Sequence, residues 1–274
     1  MYSRVYVEIT NLCNMHCSFC HGHSRAPRKM TEAEFSHILS ELSSETSYIY
    51  YHLMGEPLTH PDFPLFLQMA NERGFRSVIT TNGTLLAKRK AELLSVPIHK
   101  INLSVHSFEE GEKVDFTRYL SELADFADAA SRQGTIVVFR LWNRGYDNGK
   151  NEEVLAFLRE HLSGDWVENT RGMRIREKIH IEWGDRFDWP DQAAKEGDAE
   201  VFCYAMRTHF GILSDGTVVP CCLDSDGVLS LGNIFKTPIQ SILSSPRAEA
   251  IREGFSRRCA VESLCRRCGY ARRF

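Results

Sequence analysis

Nine cysteines, an odd number, stand at positions 13, 17, 20, 203, 221, 222, 259, 265 and 268, and 182 residues separate the third from the fourth. A disulfide framework belongs to short secreted domains, whereas this chain has 274 residues and does not open with a basic segment followed by an apolar one. Close triplets and pairs of thiols instead read as two metal sites at opposite ends of the sequence. For a lone cysteine such as Cys259 the plain reading is a small hydrophobe. With 43% hydrophobic and 25% charged residues, neither a disordered chain nor a coiled coil fits; the composition is that of one large globular domain, or of a main domain with a small appendage. A net charge of -3 gives no global reason to bind nucleic acid or an anionic membrane. No apolar run is long enough to span a bilayer, so a soluble, cytoplasmic chain with no membrane and no nucleic-acid partner is expected.

Between the cysteine groups, short β-rich runs alternate with helical patterns. Strands are predicted over Arg4 to Ile9, Tyr48 to Met54, Arg76 to Thr81, Lys100 to Val105, Ile136 to Trp142 and Lys178 to Trp183. The first helix opens with a capping box, Thr31-Glu-Ala-Glu34, and further helices are predicted over Asp62 to Arg73, Leu85 to Leu94, Phe116 to Gln133 and Glu152 to His161. Such alternation argues for parallel strands with crossover helices, and six units are too few for a closed eight-stranded barrel. The fold class predicted is therefore α/β, an open, partial (β/α)6 barrel. A polar stretch from Asp185 to Glu200 marks the boundary, giving a core over 1–190 and a small second domain over 191–274. In the latter, Asp215-Gly216 between two β runs signals a hairpin.

The first cysteine group, Cys13-Asn-Met-His-Cys17-Ser-Phe-Cys20, follows the first strand directly, at the end where barrel folds place their chemistry. Three thiolates in eight residues can hold three corners of an iron-sulfur cube and leave the fourth iron without a protein ligand. Zinc, with a fourth ligand from His16, His21 or His23, is the alternative.

The C-x-x-x-C-x-x-C spacing, with the aromatic Phe19 before the last cysteine, resembles the defining motif of the radical S-adenosylmethionine (SAM) superfamily. Met54-Gly-Glu-Pro57 is similar to that family's Gly-Gly-Glu-Pro element, with Met54 in place of the first glycine, and Thr80-Thr-Asn-Gly83 is similar to its Thr-Asn-Gly element. Leu103-Ser-Val-His106 resembles a segment that often reads Ser-x-Asp. Each has an ordinary structural explanation: a turn at Gly55-Glu56-Pro57, a turn at Asn82-Gly83, a satisfied hydroxyl at Ser104. Their recurrence at successive strand ends, in step with the triplet, favours the joint reading. The resemblance implies that Cys13, Cys17 and Cys20 hold a 4Fe-4S cluster whose open iron binds SAM. It places Phe19, Gly55, Glu56, Pro57, Asn82, Ser104 and Arg140 around the cofactor. It further implies reductive cleavage of SAM to a 5'-deoxyadenosyl radical that abstracts a substrate hydrogen atom, with electrons from a flavodoxin- or ferredoxin-type donor.

At the other end, Cys265-Arg-Arg-Cys268 has the two-residue gap that lets two thiolates converge on one centre, and a zinc ribbon would share that spacing. The order cysteine, Gly-x-x-x-x-Cys at a hairpin, then Cys-x-x-Cys resembles the SPASM or shorter twitch extension of radical SAM enzymes. That resemblance implies a second, auxiliary 4Fe-4S cluster on Cys203, Cys221, Cys265 and Cys268, with Cys222 as the alternative to Cys221. Four protein ligands leave no vacant iron, which implies a role in taking an electron from the substrate. The tail from Arg247 to Phe274 has eight arginines against three glutamates, read either as a solvated face and charge compensation or as a docking surface for an acidic or phosphorylated substrate.

Relatives of this type modify peptides or small molecules such as aminocyclitols. Only 12 residues precede Cys13, so no leader-binding domain is expected in this chain. A peptide substrate is slightly preferred, with a small-molecule dehydrogenase as the alternative enzyme. A non-catalytic iron-sulfur or zinc protein would explain the cysteines but not the strand-end residues.

Overall fold

The computed structural model describes residues 1–108 and 115–273, so Phe274, the end of the expected second domain, lies outside the described residues. Five strand-helix repeats come first: β1 (Arg4–Val7) and α1 (Glu32–Leu42), β2 (Tyr48–Tyr51) and α2 (Phe63–Glu72), β3 (Arg76–Thr81) and α3 (Leu86–Leu94), β4 (Lys100–Ser104) and α4 (Phe116–Arg132), β5 (Ile136–Leu141) and α5 (Lys150–His161). An antiparallel pair, β6 (Val167–Asn169) and β7 (Gly172–Arg176), then leads into β8 (Ile179–Trp183). The C-terminal part holds β9 (His209–Ile212), β10 (Thr217–Val219), β11 (Gly232–Asn233), α6 (Ile239–Leu243), α7 (Pro246–Ser256) and α8 (Ser263–Arg266).

The six predicted strands run parallel in the order β1-β2-β3-β4-β5-β8, the open partial barrel read from the sequence. The second stops at Tyr51 rather than Met54, because the chain there leaves the sheet for the turn at Gly55. Side chains alternate across each strand. Val5 and Val7 of β1, Ile49 of β2 and Ile79 of β3 are fully buried with Phe35, Ile38 and Leu39 of α1 in the main apolar core. The opposite face carries polar and aromatic groups, among them Arg4, Tyr6, Tyr50, His52 and Arg140. The barrel therefore has an apolar outside, covered by helices, and a lumen lined by aromatic rings, thiols and a few cationic groups.

The capping box at α1 forms: the Thr31 hydroxyl accepts from Glu34 N–H at 3.3 Å, and the Glu34 carboxylate accepts from Thr31 N–H at 2.8 Å. The hairpin at Asp215-Gly216 forms as well, joining β9 and β10, with Gly216 at φ +85°. Two features lie outside the sequence-based reading. β6 and β7 extend the β8 edge, and β9 pairs in parallel with β1, from Arg4 with His209 to Val7 with Ile212. The sheet thus runs continuously through 11 strands across the expected boundary at 190. No described helix is long and apolar enough to cross a membrane.

Candidate functional site

β1 delivers the chain into the loop that carries Cys13, Cys17 and Cys20. Cys13 and Cys20 are exposed and Cys17 is half-buried, its thiol 3.6 Å from the Ser107 carbonyl. The loop turns on itself through Cys20 N–H to the Cys17 carbonyl at 3.0 Å. His16 and His23 are engaged by backbone carbonyls, at Met15 and Asn11, and His21 stacks on Trp189.

A residue that sequence reasoning missed anchors this loop. The Glu8 side chain is fully buried, and both its oxygens receive the guanidinium of Arg25 at 2.7 Å. The same carboxylate accepts from Met54 N–H at 3.2 Å and Ser214 N–H at 3.1 Å, while Arg25 Nε donates to the Ser225 carbonyl at 2.7 Å. One carboxylate thereby ties the thiol loop to the end of β2 and to the C-terminal hairpin. The signal was present in Arg4-Val-Tyr-Val-Glu8, where polar residues occupy one face of an otherwise apolar strand.

The strand-end residues meet one another. A Cβ on Gly55, which has φ +75°, would stand 2.4 Å from the Thr10 carbonyl oxygen and 2.8 Å from the Asn11 carbonyl carbon. Close approach is indeed what this glycine permits, but the neighbour is the protein's own thiol-loop backbone. Glu56 is buried and accepts from the Thr81 hydroxyl at 2.7 Å, Asn82 N–H at 2.8 Å and Leu58 N–H at 3.0 Å. Burial raises its pKa to about 7, against the opposing pull of those three donors. Its carboxylate is thus occupied in locking the β2 loop to the end of β3. The Asn82 amide in turn donates to Asn14 Oδ1 at 3.0 Å and points toward Cys13 Sγ at 4.0 Å. Pro57 starts the short turn after Glu56 and is buried.

Phe19, Ser104 and Arg140 line a cavity of about 310 Å³ inside the barrel. Arg140 donates to Glu182 at 3.3 Å and lies over the ring of Trp142 at 4.6 Å. His106, where an acid is frequent in the family segment, contacts the Phe19 ring, and its Nδ1 lies 3.0 Å from the Arg140 carbonyl oxygen. Burial lowers its pKa to about 4, so the ring is neutral. A second cavity of about 340 Å³ opens beside the ends of β4 and β5, lined by Ser18, His106, Phe108, Asn143, Tyr146 and Arg186.

Cys203, Cys221, Cys265 and Cys268 line the first cavity and pack against the main core. Burial pushes all four thiols above the usual range, and neighbouring thiols add to it, Cys203 and Cys268 acting on Cys265, and Cys222, Cys203 and Cys265 on Cys221. Cys222 lines the same cavity, against Tyr6 and Tyr50, with its pKa pushed up by burial to about 11. Cys259 is exposed. Among the described residues, no three His, Cys, Asp or Glu side chains close on a single metal ion. The four thiols line one cavity and act on one another's charge, a donor set that fits an iron-sulfur cluster.

The arginine-rich tail is largely engaged within the chain. Arg266 and Arg267 both pair with Glu196, Arg247 pairs with Glu262 at 2.7 Å, and Arg273 reaches Asp185 at 3.5 Å. The contacts to Glu196 and Asp185 fasten the cysteine-bearing tail to the 185–200 segment and offset part of the local excess of positive charge.

A thiol triplet in the loop after β1, whose Phe19 lines the same barrel cavity as a second group of thiols, is the arrangement of an iron-sulfur protein. The sequence model of the radical SAM superfamily matches residues 7–161, and that of the SPASM iron-sulfur cluster-binding domain matches 203–269. The chain belongs to the radical SAM superfamily, and its cofactors are a 4Fe-4S cluster, SAM and auxiliary iron-sulfur chemistry in the SPASM region. A probable GTP 3',8-cyclase of Methanothermobacter marburgensis is 24% identical over 96% of this chain and 94% of its own length. An AdoMet-dependent heme synthase of Methanosarcina barkeri is 33% identical over 42% of this chain, which spans only 36% of that relative's length. Among solved structures, BtrN in complex with AdoMet and 2-DOIA superposes with a TM-score of 0.63 at 21% identity, covering 98% of this chain and 93% of BtrN. Streptococcus suis SuiB bound to its precursor peptide SuiA superposes at 0.62 and 17% identity, covering 98% of this chain and 70% of SuiB. At such identities the structural likeness speaks for the fold alone.

Proposed function

We propose that this radical SAM enzyme carries out a two-electron oxidation of a substrate held between its two thiol groups: the substrate loses a hydrogen atom on one side of the cavity, then an electron and a proton. The observation that carries this reading is that Phe19, Ser104 and Arg140 line the same cavity as Cys203, Cys221, Cys265 and Cys268. When bound, SAM on the N-terminal cluster supplies a 5'-deoxyadenosyl radical, and the auxiliary cluster supplies an electron acceptor.

The residues have distinct tasks in this reading. Cys13, Cys17 and Cys20 hold the first cluster; Cys203, Cys221, Cys265 and Cys268 hold the second, with Cys222 as the alternative to Cys221. Gly55, Glu56, Pro57 and Asn82 shape the rim beside Cys13 that receives the amino-acid end of SAM, Glu56 by fixing the backbone of Asn82. Ser104 and Arg140 offer polar contacts to the cofactor from the lumen, and Phe19 shields it from water. The cavity beside β4 and β5 takes the nucleoside. Electrons come from a flavodoxin- or ferredoxin-type donor, which places the reaction in the cytoplasm.

At about 310 Å³ the cavity lies at the low end of the roughly 300–1,000 Å³ range of small-molecule sites. A compact small molecule is therefore the substrate class favoured here. The peptide reading is supported by SuiB, solved on the same fold with a precursor peptide, and requires that one side chain of the peptide enter the cavity. Anaerobic reconstitution followed by incubation with SAM and dithionite tests the activity: release of 5'-deoxyadenosine is expected, and its absence from protein with an intact first cluster would reject the proposal.

A further inference from the structure

The floor of the lumen has cationic and hydrogen-bonding groups whose bonding capacity the chain leaves partly unused. Arg4, at the start of β1, lies with its guanidinium 5.9 Å from the ring centre of Tyr6 and 5.6 Å from that of Tyr50. The groups acting on its charge are Tyr6, which also hydrogen-bonds to it, Tyr50 and Cys222; burial keeps Tyr6 and Cys222 neutral at neutral pH, and no carboxylate is among the three. Arg4 Nε, His52 Nδ1 and Trp142 Nε1 are buried without a hydrogen-bond partner, and all three residues line the cavity between the thiol groups.

The acids in or beside the cavity are already committed. Glu182 takes Arg140, Asp185 takes Arg144 and Arg273 at 3.5 Å, and Asp224 accepts from Val228 N–H at 2.9 Å and Leu229 N–H at 2.8 Å. Buried charges in folded proteins are paired, and buried polar atoms are hydrogen-bonded. An arginine held on two aromatic faces, with a buried Nε left open, is therefore short of an anionic partner, and the guanidinium fork matches a carboxylate or a phosphate. The inner-face alternation of Arg4 and Tyr6 on β1, with Tyr50 on the adjacent β2 and His52 just past its end, builds the site on paired strands of the sheet.

We infer that Arg4, flanked by Tyr50 and His52, binds an anionic group of the substrate at the barrel floor, so that the opposite end of the molecule is presented toward Phe19 and Ser104. The substrate class is then a compact molecule carrying a carboxylate or a phosphate. This inference rests on the reading that the substrate occupies the cavity between the thiol groups. It differs from that reading in naming an anchor that neither the cluster motifs nor the strand-end motifs contain.

The test is calorimetric titration of the reconstituted holoenzyme, saturated with SAM so that the cofactor's own carboxylate is accounted for, with inorganic phosphate and separately with glutarate. Saturable binding of at least one probe is expected, and which one binds distinguishes a phosphate site from a carboxylate site. Arg4→Gln should weaken that binding about tenfold to hundredfold, the range for losing hydrogen bonds to a charged group. Arg4→Met, which keeps the stem over Tyr6 and Tyr50, serves in place of Arg4→Gln if the latter does not fold. Arg257→Gln, whose side chain is 74% exposed, should bind like the wild type. Unchanged affinity in the neutral Arg4 variants, or no saturable binding of either probe, would overturn the inference. Release of 5'-deoxyadenosine by the wild type tests the underlying reading, whereas probe binding needs no turnover, so the two fail separately.

Discussion

Cys13 and Cys20 are exposed on a loop fastened by polar contacts, whereas Cys203, Cys221, Cys265 and Cys268 are partly buried and pack against the apolar core. The first group is held from beneath by Glu8 and Arg25 and from the side by Asn82 and Asn14, which leaves its outer face open to a ligand. The second is built from residues distant in sequence that meet where the tail docks on the 185–200 segment. A three-thiol loop with two of its thiols exposed suits a cluster that must meet a cofactor. A partly buried four-thiol set packed on the core suits one that exchanges only electrons, and deprotonating such thiols on loading makes cluster binding and folding of the tail interdependent.

This contrast can be broken most sharply at the exposed loop. Cys17→Ala should abolish 5'-deoxyadenosine release while leaving the fold intact, because the loop is held by Glu8 and Asn82 rather than by its thiols; the assay and a circular-dichroism spectrum together decide it. Glu8→Gln should act the other way, on the frame. It removes one partner of a buried bidentate ion pair that joins the thiol loop, β2 and the C-terminal hairpin, so a loss of about 3–5 kcal/mol in urea unfolding is expected.

A smaller effect concerns pH. Burial lowers the pKa values of His52, His106 and His209 from 6.5 to about 3, 4 and 3. Their contribution to stability is fully present above 6.5 and is lost as pH falls toward those values. Glu56, raised from 4.5 to about 7, contributes in the opposite sense: its share is present below 4.5 and lost as pH rises through about 7. Three histidines outweigh one carboxylate, so unfolding free energy should fall by on the order of 1–2 kcal/mol between pH 6.5 and about 5.5. Equal stability at the two values would mean that the lumen is wetter than its burial implies.

Much of the frame was legible because it rests on local periodicity. The six parallel strands, the capping box at Thr31 and the hairpin at Gly216 each follow from patterns within a few residues. The pairing of β9 with β1 was not legible, since it joins segments some 200 positions apart with no turn between them to announce it. Nor was the β6 and β7 pair, whose first strand, Val-Glu-Asn, is exposed throughout and lacks apolar alternation. At the site, spacing brought out the thiols and the strand-end residues, but the work of Glu56 and Gly55 within the chain needed coordinates. Glu8 and Arg4 were overlooked because no motif contains them, although both alternate with Tyr6 along the run from Arg4 to Glu8.

The central claim is that the two thiol groups divide the chemistry, one generating the radical and the other receiving an electron. The most direct measurement is iron content and 5'-deoxyadenosine release, side by side, for the wild type and for the Cys265→Ala, Cys268→Ala double variant. Iron should fall to roughly half, as for loss of one of two four-iron clusters, while 5'-deoxyadenosine release with SAM and dithionite persists. A folded double variant that keeps the first cluster but releases no 5'-deoxyadenosine would contradict the division.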